Sequence, residues 1–346
     1  MSAPSGDQIG TLVLPQPYLL FLGDMAERGF AKTAFGLRDW AADLCVGEYR
    51  LDDRTVSTGL PAMTPAEAHA RGARALIIGV ANPGGIIPPA WRASLVEALE
   101  AGLDIVSGMH ARLADMPELV DAATRHKRRL IDVRVPPPDI PVATGAKRTG
   151  KRVLTVGTDC ALGKKYTALA LHRALVARGI AATFRATGQT GIMIAGGGLP
   201  MDAIVADFEA GAAELLSPDA ADDHWDVIEG QGSLFHPAYA GVSLGLLHGS
   251  QPDAIIVCHE PGRERVLGLP DYALPGIEET IETNLMLGRR TNRAIRCAGV
   301  SLNTAMLDDE AAAMEVARVS DRLGLPAADP LRGGPAFDRL VDNLLA

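Results

Sequence analysis

The sequence is short of three features, and each shortage argues against a class of protein. Its cysteines are few and lie without CxxC spacing, so neither a zinc site nor a disulfide framework is indicated; they are Cys45, Cys160, Cys258 and Cys297. The formal net charge is −9, so no basic excess is available to neutralise a nucleic acid. No signal peptide is recognisable and no apolar run is long enough to span a bilayer, which predicts a soluble cytoplasmic protein without a membrane partner.

The sequence does have enough apolar material for packed domains. Hydrophobic residues make up 47% and charged residues 22% of the 346 positions, a length that suits two domains of ordinary size. Short apolar strands alternate with helical segments, so we predict an α/β fold in which each domain has a mostly parallel sheet. The Pro- and Gly-rich stretch at residues 136–150 is typical of a linker. We therefore predict domains at residues 1–143 and 144–346.

The predicted elements place loops at the carboxyl ends of parallel strands, where ligands bind in such folds. Residues 1–10 are predicted to be a loose tail. The predicted elements of the first domain are strands Tyr18–Leu22, Ala73–Val80 and Leu103–Ser107 and helix Ala90–Ala101. Those of the second domain are strands Val153–Val156, Ala181–Phe184, Asp226–Glu229, Ala254–Cys258 and Ala298–Asn303, with a helix from about Lys164 to Ala177 closed by Gly179.

The loop Gly157–Lys165 is the strongest functional signal in the sequence. A strand runs into a Gly-bounded loop and an alanine- and leucine-rich helix follows, which is the layout of a phosphate cradle. A Gly-rich turn that only lets helix and sheet pack closely is the alternative. Lys164 and Lys165 favour the cradle, because two ammonium groups at a helix start oppose its dipole unless an anion is present. Lys165 also stands where a Ser or Thr hydroxyl normally holds magnesium.

Polar side chains after later strands are candidates for the chemistry. Arg185, Gln189 and Thr190 offer donors to a carboxylate or phosphate, although an ordinary surface loop has a similar composition. Glu229 ends an apolar strand and precedes a glycine, which suits a general base or a metal ligand, and equally a cap of the following segment. His236 is a weaker candidate, because a loop histidine is more often structural.

Three further segments extend the set of candidates. Asp202 opens a helical pattern that runs to residue 209, so a role as a carboxylate in the first helical turn competes with a catalytic one. Arg263 follows the strand at 254–258 and is placed to line the same sheet edge. The loops at residues 23–33 and 82–85 of the first domain also follow strands, but a lone Gly pair is weak evidence for a ligand site.

These motifs together resemble the DUF1611 family over nearly the whole chain. The resemblance implies an N-terminal Rossmann-like domain and a C-terminal P-loop domain similar to dethiobiotin synthetase. That synthetase has the same long loop but ends it in Thr; its glycine-flanked Glu matches Glu229, and its purine-reading Asn looks like Asn303. The segments that carry the resemblance are Gly157–Thr167, Arg185–Gly191, Gly198–Asp202, Glu229–Leu234 and Asp329–Gly333.

The better-understood members of that family are D-glutamate N-acetyltransferases. The resemblance therefore implies transfer of an acetyl group from acetyl-CoA to the amine of D-glutamate, in D-amino acid catabolism. Lys165 in the magnesium position fits a magnesium-free anion, and the 3′-phospho-ADP part of coenzyme A is one. The predicted acetyl-CoA contacts are Gly157, Thr158, Asp159, Cys160, Ala161, Leu162, Gly163, Lys164, Lys165, Tyr166, Thr167 and Asn303, with no metal site.

The remaining roles follow from the chemistry that acetyl transfer requires. The α-ammonium group must lose a proton before it attacks the thioester, and the tetrahedral oxyanion must be stabilised. Glu229 is the first candidate for the base, followed by His236 and Asp202. The two carboxylates of the substrate call for cationic or amide donors. The predicted substrate contacts are Arg185, Gln189, Thr190, Ser233 and Arg263.

Two other functions compete with the acetyltransferase. One is an ATP-dependent carboxylate ligase or kinase of the dethiobiotin synthetase type, using Mg-ATP, and Lys165 argues against it. The other is a non-catalytic nucleotide-binding regulator, which the number of polar loops at strand ends disfavours. Rossmann-like halves often meet partners through exposed helices, so a homo-oligomer is expected.

Overall fold

The structure, a computed structural model, describes residues 11–346 except for the side chain of Pro83. The tail predicted at residues 1–10 lies outside the described residues. By packing, the described chain forms two compact units: an N-terminal unit of residues 11–137 and 189–203, and a C-terminal unit of residues 138–188 and 204–346. Residues 189–203 thus pack with the N-terminal unit although they follow the phosphate loop in sequence.

The secondary structure alternates strands and helices, as predicted. The strands are β1 (Leu12–Val13), β2 (Tyr18–Gly23), β3 (Cys45–Arg50), β4 (Ala75–Ile78), β5 (Asp104–Ser107), β6 (Leu130–Asp132), β7 (Lys151–Gly157), β8 (Ala182–Arg185), β9 (Gly197–Gly198), β10 (Trp225–Ile228), β11 (Ala254–His259), β12 (Arg265–Val266), β13 (Leu269–Ala273), β14 (Arg296–Leu302) and β15 (Ala327–Ala328). The α-helices are α1 (Lys32–Trp40), α2 (Pro65–Ala70), α3 (Pro89–Glu100), α4 (Pro117–His126), α5 (Lys164–Ala177), α6 (Gln189–Ala195), α7 (Glu209–Leu216), α8 (Ala240–Ser250), α9 (Ile277–Gly288), α10 (Asp309–Leu323) and α11 (Gly334–Leu345).

The N-terminal unit is built on a parallel five-stranded sheet in the order β3-β2-β4-β5-β6. Every residue of β2 and β4 is buried, which explains why both strands appear in the sequence as unbroken apolar runs. Trp91 of α3 packs so closely against β2 that a Cβ at Gly23 would lie 2.4 Å from its ring. The predicted strands and the predicted helix of this unit are therefore confirmed, with ends shifted by one or two residues.

The C-terminal unit contains a parallel six-stranded sheet in the order β15-β14-β11-β7-β10-β8. The strand before the phosphate loop, β7, lies between β11 and β10 in the interior of the sheet. Because all six strands run in one direction, the segments after β7, β8, β10, β11 and β14 leave the sheet at the same edge. This edge carries the candidate site.

Helix α5 has the bounds that the sequence predicted, whereas the helix predicted from Asp202 is wrong. Two isolated 3₁₀ turns, Met201–Ala203 and Ala206–Phe208, occupy that segment, and α7 begins only at Glu209. Val205 lies between the turns with φ −63° and ψ 135°, an extended conformation that interrupts the helical repeat. Helical spacing of apolar residues was present, but the backbone did not follow it.

The segment between β6 and β7 contains no strand or helix, in agreement with the predicted linker. It is nevertheless held down on the C-terminal unit. The guanidinium of Arg148 donates to the carbonyl oxygens of Glu214, Ser217 and Gly249. Among residues 11–346, no helix has both the length and the apolar character needed to cross a membrane.

Candidate active site

The phosphate loop has the backbone of an anion cradle. It connects the end of β7 at Gly157 to the start of α5 at Lys164. Ala161 and Gly163 both lie in the left-handed region, with φ of 54° and 103°. Left-handed residues that alternate with ordinary ones turn successive N–H groups toward one concavity, and the first turn of α5 adds further donors. A left-handed alanine is unfavourable by about 1–2 kcal/mol, so the loop holds this shape against a local preference.

Asp159 fixes the loop from within. Its carboxylate accepts the N–H of Cys160 at 2.6 Å on one oxygen. The other oxygen accepts the Leu267 N–H at 2.7 Å and Arg263 Nη1 at 3.2 Å. Arg263 also donates to the carbonyl oxygen of Cys160 at 3.0 Å and pairs with Glu260. Arg263, predicted as a substrate contact, therefore serves to hold the loop, because two carboxylates already share its charge.

Lys164 places a buried ammonium group under the loop. Its side chain is 6% exposed, and Nζ donates to the carbonyl oxygen of Asp159 at 2.7 Å. Burial lowers the pKa of Lys164, because its ammonium group is withdrawn from water. A bound anion would stabilise that buried positive charge. The cradle interpretation is therefore favoured over a turn that serves packing alone.

The hydroxyl of Thr167, one helical turn into α5, is held by neighbouring side chains. Thr167 is buried; its Oγ1 lies 2.8 Å from Ser301 Oγ and accepts the Cys258 thiol at 3.5 Å. Lys165, in the usual magnesium position, lies with its Nζ 4.5 Å from the ring centroid of Tyr166. Neither side chain offers a hydroxyl ligand to a metal on a bound phosphate in this arrangement.

Glu229 follows β10 and lies next to the cradle. One carboxylate oxygen accepts the N–H groups of Thr187 and Gly188, at 2.9 Å and 3.1 Å. Burial raises the pKa of Glu229, and the ammonium of Lys165 is the strongest influence in the other direction. The alternative role predicted for Glu229 was a cap of the segment that follows it, but the N–H groups that it accepts belong to the earlier segment after β8. A carboxyl whose pKa is raised and which borders a cradle is suited to accept a proton near neutral pH.

Gly230 lets the Glu229 segment cross β7 at close range. A Cβ at Gly230 would lie 1.6 Å from the carbonyl oxygen of Thr155 and 3.2 Å from Lys164 Cδ. Gly230→Ala is therefore expected to lower the free energy of unfolding by about 1–3 kcal/mol or more, measured by chemical denaturation. Gly241→Ala is the matched control, because a Cβ there meets no atom within 4 Å and the site is helical. Equal stability of the two variants would contradict the close crossing.

His236 and Ser233 lie in the turn that follows Glu229. Nδ1 of His236 accepts the Ala238 N–H at 3.1 Å, and its ring stacks on Tyr239 with centroids 4.4 Å apart. With Nδ1 as the acceptor, Nε2 is the nitrogen that carries the N–H of the imidazole, which argues against His236 as the base; that role stays a prediction. Ser233 is buried and its Oγ accepts the Phe235 N–H, which makes it part of the turn.

His236 also meets the phosphate loop. An imidazole nitrogen of His236, Sγ of Cys160 and a carboxylate oxygen of Asp159 all lie within 4.8 Å of one another. These residue types can hold a metal, but the Asp159 oxygens already accept three hydrogen bonds, one of them from a guanidinium. The absence of a metal site stays a prediction.

A cavity of about 270 Å³ opens beside the cradle. Asp329 shapes it, since its carboxylate accepts the N–H groups of Thr304 and Leu331. Arg332 fastens the same turn by donating to Thr304 Oγ1 at 2.8 Å. Asp329 and Arg332 belong to the segment 329–333 that carries part of the family resemblance, but the sequence alone predicted no role for either residue. The lining includes Leu162, Tyr166, Thr167, Ser301, Asn303 and Leu331.

Residues 141–341 match the family described as a domain of unknown function (DUF1611_C), P-loop domain, and residues 49–136 match the DUF1611_N Rossmann-like domain. The chain belongs to the DUF1611 family. The fold predicted from the sequence, with a Rossmann-like N-terminal domain and a P-loop C-terminal domain of parallel strands, is confirmed.

Two relatives of this DUF1611 chain carry the same enzyme name. A protein of Tritonibacter scottomollicae named D-glutamate N-acetyltransferase is 52% identical over 334 residues, covering 96% of this chain and 100% of that protein. A protein of the same name from a Pseudoalteromonas species is 48% identical over 328 residues, covering 95% and 98%. The crystal structure of a DUF1611 family protein from Anabaena variabilis has a TM-score of 0.82 and 33% identity, covering 95% of this chain and 99% of that chain. The prediction that the chain is an enzyme of the N-acetyltransferase class is confirmed.

Arg185 and Asp202, two further predicted site residues of this DUF1611 chain, each form an ion pair. Nε of Arg185 donates to the buried carboxylate of Asp226 at 2.7 Å, which offsets its charge, and its contact with substrate stays a prediction. Asp202 forms an ion pair with Arg134 at 2.8 Å within the N-terminal unit, an arrangement that favours the carboxylate form, and its role as the base stays a prediction.

Gln189 and Thr190 belong to α6 of the N-terminal unit. There, Oγ1 of Thr190 lies 3.2 Å from Oγ1 of Thr33, in the first turn of α1 at the end of the segment 23–33 that the sequence predicted as a ligand loop. A Cβ at Gly108, after β5, would lie 3.2 Å from the side chain of Gln189. These two residues therefore join the strand ends of the N-terminal sheet.

Proposed function

We propose that this enzyme transfers the acetyl group of acetyl-CoA to the amine of D-glutamate, releasing CoA and N-acetyl-D-glutamate, as a step of D-amino acid catabolism. The observation that carries the proposal is the near full-length identity, 52% and 48%, to two proteins named D-glutamate N-acetyltransferase. The phosphate loop and Glu229 supply groups that such a reaction needs.

The cradle supports acetyl-CoA as the donor. Its left-handed turn and helix start suit a diphosphate, and the buried ammonium of Lys164 supplies positive charge. The adjoining cavity of about 270 Å³ is near the small end of ordinary ligand cavities and accepts the adenosine end of the molecule. Within it, Oδ1 of Asn303 accepts the Ala305 N–H, so its amide N–H₂ is the group left to donate to a purine nitrogen.

Glu229 is the proposed general base. The α-amine of an amino acid is mostly protonated at neutral pH, so a carboxylate must take a proton before the nitrogen attacks the thioester carbon. The raised pKa of Glu229 suits this transfer. A Cβ at the neighbouring Gly230 would touch the Lys164 side chain, so Glu229 lies close to the cradle. The pantetheine arm of acetyl-CoA must therefore fold back to bring the thioester to Glu229.

The alternative, an Mg-ATP-dependent ligase or kinase, rests on the likeness of the loop to that of dethiobiotin synthetase. Such chemistry needs a hydroxyl ligand for the metal. Here Lys165 replaces that hydroxyl, and the Thr167 hydroxyl is bonded to Ser301.

Removal of divalent metals therefore gives a clear prediction. Acetyl transfer is expected to continue at the same rate in excess EDTA, because attack of an amine on a thioester needs no metal and the buried ammonium of Lys164 supplies positive charge at the cradle. Initial rates with and without the chelator, followed by free thiol release, make the measurement. Loss of activity that magnesium restores would favour the alternative.

The proposal as a whole is tested by incubating the protein with acetyl-CoA and D-glutamate. Free thiol and N-acetyl-D-glutamate are expected in equal amounts, the second identified by mass spectrometry. L-glutamate and D-aspartate serve as comparison acceptors. No thiol above the hydrolysis background, together with magnesium-dependent ATP turnover on a carboxylate, would sink the proposal.

Cytoplasmic location and a homo-oligomeric state also stay predictions from the sequence. Light scattering coupled to gel filtration measures the second, and a monomeric mass would contradict it.

A further inference from the structure

Cys160 is the nucleophilic side chain at the site for which the proposed mechanism has no use. It lies in the middle of the phosphate loop, is half-buried and is not in a disulfide. Its Sγ lies within 4.8 Å of a His236 nitrogen and of an Asp159 oxygen. The three side chains do not form a hydrogen-bonded triad, because His236 Nδ1 and both Asp159 oxygens have other partners, but they place a nucleophilic thiol beside an imidazole at the site.

The main chain holds Cys160 in place on both sides. Its N–H donates to the Asp159 carboxylate at 2.6 Å, and its carbonyl oxygen accepts Arg263 Nη1 at 3.0 Å. The sulfur is thus positioned by a braced loop. A fixed position favours a nucleophile, because little further conformational entropy is lost when it is oriented against the substrate.

The environment of Cys160 favours the thiol over the thiolate before the reaction, and hydrogen-bond donors lie near the sulfur. Burial raises the pKa of the Cys160 thiol, and the ammonium of Lys164 acts in the opposite direction. His236 is buried and accepts the Ala238 N–H at Nδ1, so Nε2–H is the donor it can offer to the cluster. A donor beside a sulfur stabilises the thiolate that forms during attack.

From this geometry we propose that Cys160 carries the acetyl group between acetyl-CoA and the amine, a step that rests on the proposed function. The sulfur attacks the thioester carbon; the new carbon–sulfur bond forms, the bond to CoA breaks, and the thiol proton passes to the departing CoA sulfur. The amine then attacks acetyl-Cys160, the carbon–nitrogen bond forms, and the Cys160 sulfur recovers a proton as Glu229 removes one from the amine. His236 is a positioning residue that donates to the sulfur.

Cys160 and the cradle belong to one loop, so the arm of acetyl-CoA must fold back to reach the sulfur. S-acetylpantetheine has no phosphates and avoids that constraint. It is expected to acetylate Cys160 as well, but only at higher concentration. This donor separates acylation of the thiol from binding of phosphates in the cradle.

The first experiment treats the enzyme with acetyl-CoA alone and measures intact and peptide masses. One added acetyl group on Cys160 is expected, and D-glutamate should remove it at least as fast as the enzyme turns over. Cys160→Ala should retain CoA binding by calorimetry but lose turnover by roughly a thousandfold or more. Cys297→Ser, at the other half-exposed cysteine, is the matched control and should behave as the wild type.

The second experiment tests the role of His236. The rate at which iodoacetamide alkylates Cys160 is measured against pH in the wild type and in His236→Gln. Loss of the imidazole donor should move the profile to higher pH, whereas a purely structural role would leave it in place.

The outcomes separate the two proposals. Near-normal turnover by Cys160→Ala, or transfer in the wild type without acetyl-Cys160, overturns the covalent intermediate and leaves the proposed function intact. Acetyl-Cys160 that forms but does not pass to D-glutamate supports the intermediate and shows that the proposed acceptor is wrong. Neither acetyl-Cys160 nor product in the wild type overturns both.

Discussion

Lys164→Ala is expected to weaken acetyl-CoA binding roughly 10- to 100-fold, the range that corresponds to losing one hydrogen bond to a charged group. The ammonium is buried beneath a cradle whose N–H groups supply only partial charges. Its pKa is lowered by burial, so it gains more from a bound phosphate than an exposed lysine would. Calorimetry gives the dissociation constant, and KM for D-glutamate should stay unchanged.

The same variant should fold at least as well as the wild type, because it removes a charge that is costly to bury. Lys151→Ala is its control: this lysine is exposed at the opposite end of the same strand, β7, and should have no effect on affinity. An unchanged dissociation constant in Lys164→Ala would place the donor phosphates elsewhere. A rise confined to KM for D-glutamate would instead assign the cradle to the carboxylate of the acceptor.

Glu229→Gln is expected to reduce kcat by roughly 10²- to 10⁴-fold, the usual contribution of a general base. The amide keeps the size of the side chain and an oxygen that can accept the N–H groups of Thr187 and Gly188. The fold and the affinity for acetyl-CoA should therefore change little. Glu310→Gln, at an exposed carboxylate in the first turn of α10, is the matched control and should leave kcat unchanged.

The pH dependence follows from the same residue. The active form of Glu229 is the carboxylate, and burial raises its pKa. Activity should therefore fall as pH decreases through that raised pKa, at a higher pH than the value of about 4.3 for an ordinary glutamate. A profile of kcat/KM against pH shows the decline, and Glu229→Gln should lack it. A decline shared by both proteins would belong to another group.

Much of the fold could be predicted because its signals are local. Unbroken apolar runs predicted the buried strands, and helix α5 begins at Lys164 and ends at Ala177 as predicted. The helix predicted from Asp202 was wrong, because apolar spacing does not reveal that Val205 is extended. The carboxyl ends of parallel strands also share one edge of a sheet, and that rule predicts Glu229 at the same edge as the phosphate loop.

The partners of the charged residues could not be predicted. Arg263 and Asp159 are 104 positions apart in sequence, and Thr167 and Ser301 are 134 apart, yet each pair is in contact. Arg185 was predicted to bind substrate, and the structure pairs it with Asp226, which offsets its charge. The sequence shows that an arginine can bind a carboxylate, but it does not show which carboxylate lies next to it in the folded protein.

The α/β class, the strand–loop–helix cradle and the lysine in the magnesium position can all be predicted from the chain, since each depends on residues adjacent in it. The folded structure settles which polar groups remain for chemistry. It joined Arg263 to Asp159 and Arg134 to Asp202, and it brought Cys160 to His236. Those contacts arise from the packing of segments far apart in sequence. The burial and the electrostatic environment of each side chain therefore depend on both segments.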